Sequence, residues 1–209
     1  LEIAFHNLGG WLRNHHELPP LEHCVTRNTT REDYLEAVGR FANYLESHAG
    51  CAAQIQEFHR LIVAGAKEHL PNEIPTGQVH GDFAPRNAFI DSNNRVTVFD
   101  TPGRFEAPIY EDIAKLLVTV KASGPQLLSG GLLYNTKQLR RFEDQFLHGY
   151  FHDQPIPYKH VRLFEAQILL EHWAATVFRY RAERGLRRVA KGVRKTLWQR
   201  GFQAYLREI

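Results

Sequence analysis

The residues best suited to chemistry fall in one short stretch, His80-Gly81-Asp82-Phe83-Ala84-Pro85-Arg86-Asn87, followed a little later by Val98-Phe99-Asp100. Between them Ala88-Phe89-Ile90 is an apolar run, Asp91 to Asn94 is a cluster of turn formers, and Arg95 to Phe99 alternates around Val96 and Val98. That pattern predicts a β-hairpin. In a two-stranded hairpin the start of the first strand lies beside the end of the second, so Asn87 and Asp100 are expected at one end although thirteen positions separate them. A neutral and an anionic oxygen donor then face one volume. Such a pair suits a hard cation like Mg²⁺, which keeps several waters and takes one or two protein oxygens plus substrate phosphates. Asp82, on the loop just before that end, can accept a proton from an attacking hydroxyl, or orient it, while the metal neutralises the phosphates. The expected chemistry is phosphoryl transfer. The plainer alternative is a turn whose Asp and Asn only cap neighbouring backbone.

His80-Gly81-Asp82, with Asn87 five positions after the Asp and Asp100 beyond the hairpin, resembles the catalytic segment of aminoglycoside phosphotransferases and choline kinases, which share the protein-kinase fold. The resemblance implies that Asp82 is the catalytic base, that Asn87 and Asp100 are metal ligands, and that His80 mainly packs the loop. It also implies Mg²⁺ and ATP or GTP. Pro108-Ile109-Tyr110-Glu111-Asp112-Ile113-Ala114 is similar to the family's segment after the metal Asp, where an Asp opens a core helix. Asp112 is thereby expected to cap that helix and brace the loop. Leu8-Gly9-Gly10-Trp11-Leu12 resembles the entry into the family's C-terminal lobe. The likeness runs from Leu8 to Val120 and is specific from Val79 to Ala114. Two departures stand out. Thr101-Pro102-Gly103 replaces a frequent aromatic after Asp100, and Arg86 has two readings, a contact to the transferred phosphate or a loop arginine paired with a nearby carboxylate.

Helices must carry this loop. Thr30 with Asp33 is a helix start signal, followed by Tyr34, Leu35, Val38, Phe41, Ala42 and Leu45 at helical spacing to an end near Gly50. A second helix carries Ile55, Phe58, Ile62 and Ala66 and stops at Leu70 before Pro71. The helical period returns from Glu111, again with Leu139, Phe142 and Phe146, and in a long segment from Tyr158 past Tyr180. The expected fold is therefore mainly α with a small β-hairpin, the C-terminal lobe of a protein-kinase-like fold over residues 1–209. Its parts are a catalytic loop at 79–87, a metal-site hairpin at 87–100 and a helical acceptor-binding part at 110–209. Ahead of the loop there is no Gly-rich nucleotide loop and no strand lysine of the V-A-I-K kind. The nucleotide lobe is expected to lie outside this chain, which on its own is then expected to be inactive.

With 209 residues, 43% of them hydrophobic, the chain can bury a substantial core. It begins at Leu1 and contains no Met, so a segment upstream is expected. Two cysteines cannot make a multi-bridge framework, and there is neither a signal peptide nor a long apolar run. A soluble cytoplasmic protein is the expectation. His148 and His152 are four apart, but without an H-E-x-x-H arrangement or a thiolate they read as surface or packing residues. Beyond Phe178 an apolar stripe through Ala182, Leu186, Val189, Val193 and Leu197 is interleaved with Arg179, Arg181, Arg184, Arg187, Arg188, Lys191, Arg194 and Lys195. This basic C-terminal helix is either a docked terminal helix with a solvated face or a surface for an anionic acceptor or an anionic membrane at the inner surface. No nucleic-acid reader module is present, and no specific nucleic-acid partner is expected. The expected acceptor is a hydroxyl of a small molecule or glycan, neutral or anionic because the helical region is rich in arginine. A catalytically silent kinase-fold binding module is the competing function; a pure scaffold has no physical need for Asp82, Asn87 and Asp100 together.

Overall fold

The computed structural model describes residues 1–20, 22–101, 105–121 and 135–182. In chain order these form α1 (Glu2–His16), β1 (Val25–Thr26), α2 (Arg31–His48), α3 (Ala52–His69), β2 (Thr76–Val79), a single 3₁₀ turn (Pro85–Asn87), β3 (Ala88–Ile90), β4 (Val96–Val98), β5 (Phe105–Pro108), α4 (Ile109–Lys121), α5 (Thr136–Phe151) and α6 (Tyr158–Ala182). The chain divides into two compact units, Leu1–Thr29 with Pro75–Val161 and Thr30–Ile74 with the chain from Arg162 onward.

The second unit is helical for the reasons visible in its residues. Thr30 and Asp33 close a reciprocal capping box at the start of α2, with Asp33 N donating to Thr30 Oγ1 at 3.1 Å and Thr30 N donating to Asp33 Oδ2 at 3.0 Å. Val38, Ala42 and Leu45 on α2, and Ile55, Ile62 and Ala66 on α3, are fully buried. Each such Leu or Ile contributes about 1.5–3 kcal/mol. The Tyr34 hydroxyl donates to the Leu163 carbonyl at 2.7 Å and its ring meets Phe164 at 5.1 Å. Burial raises the pKa of that hydroxyl far above its usual range, so it stays a donor.

In the first unit, α1 crosses α5 at very short range. A Cβ on Gly9 would collide with the Phe146 carbonyl and lie 2.7 Å from Tyr150 N, and a Cβ on Gly149 would collide with the His6 carbonyl. Only glycine on both helices allows backbone to touch backbone there. The two glycines look like helix breakers in the sequence, yet they sit within continuous helices. Ala4, Leu8 and Leu12 form the buried stripe of α1, which explains a helix that glycine content alone argues against.

One sheet was not expected. Besides the hairpin, β1, β5 and β2 form a three-stranded sheet in that order, with β2 antiparallel and β1 parallel to β5. Its strands are two to four residues long, too short to display a period of two, and β5 ends in Pro108. This sheet feeds the chain from β2 into His80 and from β5 into α4. The hairpin itself pairs Ala88 with Val98, Phe89 with Thr97 and Ile90 with Val96.

Candidate active site

His80 follows β2 directly and is fully buried. Its backbone N–H donates to Asp112 Oδ2 at 2.6 Å, and Gly81 N–H donates to Asp112 Oδ1 at 2.9 Å. Gly81 has φ +79 with open space where a Cβ would lie, a conformation that favours glycine. Asp112 lies inside the first turn of α4, three residues past its start. It therefore does not cap its own helix, as the sequence suggested, because both of its oxygens are turned to the loop's N–H groups. His16 on α1 adds a third contact, Nε2 to Asp112 Oδ2 at 3.2 Å, and its Nδ1 lies 2.7 Å from the Tyr150 hydroxyl. The tautomer satisfying both partners carries its proton on Nε2 and accepts from the tyrosine. Burial, together with the negative charge of Asp112 among other groups, raises the pKa of Tyr150 far above its ordinary range, which keeps that proton in place.

The His80 ring ties the loop to the hairpin. Its Nε2 is 2.8 Å from the Phe99 carbonyl, one residue before Asp100, and its Nδ1 accepts from Asp82 N–H at 3.3 Å. Trp11 stacks on Phe83 at 5.9 Å and on His15 at 5.1 Å, so α1 covers the loop's apolar side. His15 Nε2 is buried with no hydrogen-bond partner among the described residues. Burial first, then the neighbouring His16 and His80, push the pKa of His15 below its ordinary value of 6.5 against the pull of Asp112.

At the loop's open side, Asp82 is the centre of a charged cluster. Arg86 Nη2 donates to Asp82 Oδ1 at 2.6 Å and also reaches Oδ2. Asn87 Nδ2 donates to the Asp82 carbonyl at 2.8 Å and to Oδ2 at 3.1 Å, while Lys115 Nζ from α4 lies 3.7 Å from Oδ1. Partial burial works to raise the pKa of this carboxyl, but hydrogen bonds from Arg86 and Asn87 and the charges of Arg86 and Lys115 outweigh it and hold the pKa below the usual range. The sequence pointed to Asp82, Arg86 and Asn87. It gave no sign of Lys115, His16 or Tyr150, which come from other elements at no fixed spacing.

The hairpin sets the other donor. Phe99 N–H donates to the Asn87 carbonyl at 2.8 Å, extending the ladder one step past the Ala88–Val98 pair, so Asp100 follows at the hairpin end where β3 begins. Asp100 has φ 55 and is exposed, and among the described residues its carboxylate has no partner. Asn87 Oδ1 likewise accepts no bond among the described residues. An unsatisfied amide oxygen and an uncompensated carboxylate at one end are a donor set that fits a hard divalent cation. Among the described residues no group of three or more His, Cys, Asp or Glu could hold a metal. Phe89 and Phe99, 59% and 53% exposed, together with the exposed Thr97, leave one hairpin face bare. The opposite face, Ala88 and Ile90, lines a cavity of about 480 Å³ with Phe5, Leu8, Leu116 and Phe142.

This geometry agrees with what comparison finds. The profile of the phosphotransferase enzyme family matches residues 3–150. The chain belongs to that family. A search of curated proteins finds no match. Among solved structures the chain resembles a choline/ethanolamine kinase family protein from Mesorhizobium loti, at 15% identity and a TM-score of 0.60, with 97% of this chain and 66% of that one covered. It also resembles aminoglycoside phosphotransferase APH(3'')-Id from Streptomyces rimosus, in complex with ADP and streptomycin, at 18% identity and a TM-score of 0.52, with 80% and 62% covered. A glucosamine kinase matches at 15% identity and a TM-score of 0.54, with 98% and 53% covered. The chain thus spans about half to two thirds of the length of these proteins. The shared fold is kinase-like, and this chain is a mainly α lobe of it.

Proposed function

We propose that the protein transfers the γ-phosphoryl group of ATP or GTP to a hydroxyl of a small molecule or sugar, this chain being the lobe that carries the catalytic loop. The observation that carries the reading is the convergence on Asp82. An ionised carboxylate on a loop fixed by Asp112 stands beside Asn87, at the hairpin end that precedes Asp100, whose carboxylate has no partner among the described residues. Asp82 accepts the proton of the acceptor hydroxyl and orients it, with Asn87 Nδ2 fixing the carboxylate. Asn87 and Asp100 would hold Mg²⁺, which when bound neutralises phosphate charge. The bare face of Phe89 and Phe99 suits a flat nucleotide base, whose own faces are apolar. Family membership and the ADP, streptomycin and glucosamine named for the structural neighbours support a nucleotide donor and a small acceptor. A nucleotide donor also fits a cytoplasmic setting, and no described helix is long and apolar enough to cross a membrane.

A nucleotide-consumption screen of the full-length protein against a panel of metabolites and glycans tests this. Acceptor-dependent release of nucleoside diphosphate that Asp82→Asn slows by roughly 10²–10⁴-fold is the expected result. A silent binding module is the second reading, and the ion pairing of Asp82 to two cations suits it. Nucleotide binding without consumption across the whole panel would select that reading.

A further inference from the structure

We propose that Lys115 is a positioning residue for Asp82, a role that rests on the phosphoryl-transfer function above. Helix α4 presents Asp112 and Lys115 three residues apart, hence on one face. The first takes the loop's backbone N–H groups, and the second reaches the loop's carboxylate. One helical turn therefore sets both where the loop lies and where its acid points. The two cations on Asp82 differ in freedom. The Arg86 side chain is 58% exposed and sits on the loop itself, whereas the Lys115 side chain is 20% exposed and is rooted in a helix with a buried core face.

That difference matters when a phosphate arrives. In the transfer step the hydroxyl proton passes to Asp82 as the hydroxyl oxygen bonds to the γ-phosphorus. The bond from that phosphorus to the bridging oxygen breaks, and its electron pair leaves with the nucleoside diphosphate. The phosphate's charge draws the exposed guanidinium, which matches phosphate oxygens with its fork of donors. Arg86 then leaves the carboxylate, and Asp82 would lose its closest constraint just as its aim matters most. Lys115, on Oδ1, and Asn87 Nδ2, on Oδ2, remain to hold both oxygens. Arg86 serves the phosphate, and Lys115 serves the base.

The test uses the full-length protein, steady-state kinetics and crystallography. Lys115→Met should lower kcat roughly tenfold or more while leaving the nucleotide KM within about twofold, because it removes orientation and not binding. Lys115→Arg should recover most of the loss, since the charge can be rebuilt at that distance. Arg86→Met should instead raise the nucleotide KM, and the double variant's losses should multiply, since the two cations act on different partners. Crystals of Lys115→Met with Mg²⁺ and an unreactive ATP analogue should show the Asp82 carboxylate rotated from its wild-type position. Unchanged kcat in Lys115→Met, a KM rise like that of Arg86→Met, or an unmoved carboxylate overturns the proposal. An equal thermal midpoint for wild type and Lys115→Gln secures the comparison against misfolding, with Lys115→Gln then carrying the same kinetic expectation. A wild-type protein that turns over no acceptor would overturn the proposed function itself, and the crystallographic arm separates that outcome from failure of the positioning role.

Discussion

The two sides of the proposed site are built in opposite ways. On the loop side, His80, Gly81, Asp82 and Asn87 are held by bonds to Asp112, to the Phe99 carbonyl and to one another, with α1 packed behind. On the hairpin side, Asp100 has an exposed carboxylate with no partner among the described residues, at a left-handed φ of 55. The side proposed to aim a carboxylate at a hydroxyl is held by these bonds without any ligand. The side proposed to take a cation keeps its charge uncompensated, so that the ion supplies the missing partner. Preorganisation for proton transfer and vacancy for charge are separate requirements, and under the proposed function one short chain segment would meet both.

The largest way to break this contrast is at the base. Asp82→Asn should lower kcat by roughly 10²–10⁴-fold in the full-length protein while calorimetry finds nucleotide affinity little changed. Intact turnover would remove Asp82 from the chemistry. At the hairpin end the pattern should invert. Asp100→Ala should abolish Mg²⁺-dependent nucleotide binding yet leave stability within about 0.5 kcal/mol, because the carboxylate contacts nothing described. A large stability loss in urea unfolding would show that Asp100 is structural and that the contrast is misdrawn.

Behind the loop, Asp112→Ala should cost stability outright, since it strands the buried N–H of His80, at about 1–3 kcal/mol for an unsatisfied group, and also removes the partner of the more open Gly81 N–H. Urea midpoints give this directly, and a loss no greater than that of a surface variant would mean that the loop is not braced from α4. The smallest effect concerns His15. Its folded pKa lies below the unfolded value of 6.5, so the unfolded chain takes up the proton first. Its contribution is full above 6.5 and is lost as pH falls through that value toward the lower folded pKa. Thermal midpoints of wild type should therefore drop more steeply below that pH than those of His15→Gln. Parallel curves would remove His15 from the loop's support.

What the sequence disclosed follows from how local each signal is. The Thr30–Asp33 box, the α3 stop before Pro71 and the Asp91–Asn94 turn are written in adjacent residues, and they stand where their chemistry puts them. Asp82, Arg86, Asn87 and Asp100 are legible for the same reason, lying in one loop and its hairpin. Lys115, His16 and Tyr150 reach the site through tertiary packing, and nothing in their spacing announces it. The short sheet of β1, β5 and β2 escaped because two to four residues cannot show a period. The basic stripe expected from Phe178 to Leu197 lies for the most part outside the described residues, as do Pro102 and Gly103.

The meeting of Gly9 and Gly149 carries a consequence for how this site tolerates change. Elsewhere on an exposed helix, alanine in place of glycine is a favourable exchange by about 0.8–1 kcal/mol of propensity. Here a single added methyl group would meet carbonyl oxygens of the opposite helix and wedge the two apart. His16 rides on one of those helices and Tyr150 on the other, so the wedge would pull directly on the hydrogen-bonded chain that ends at the loop's N–H groups. The most conservative substitution in the genetic vocabulary thereby becomes a remote control for the carboxylate. A stabilisation campaign guided by helix propensity would damage the protein here first.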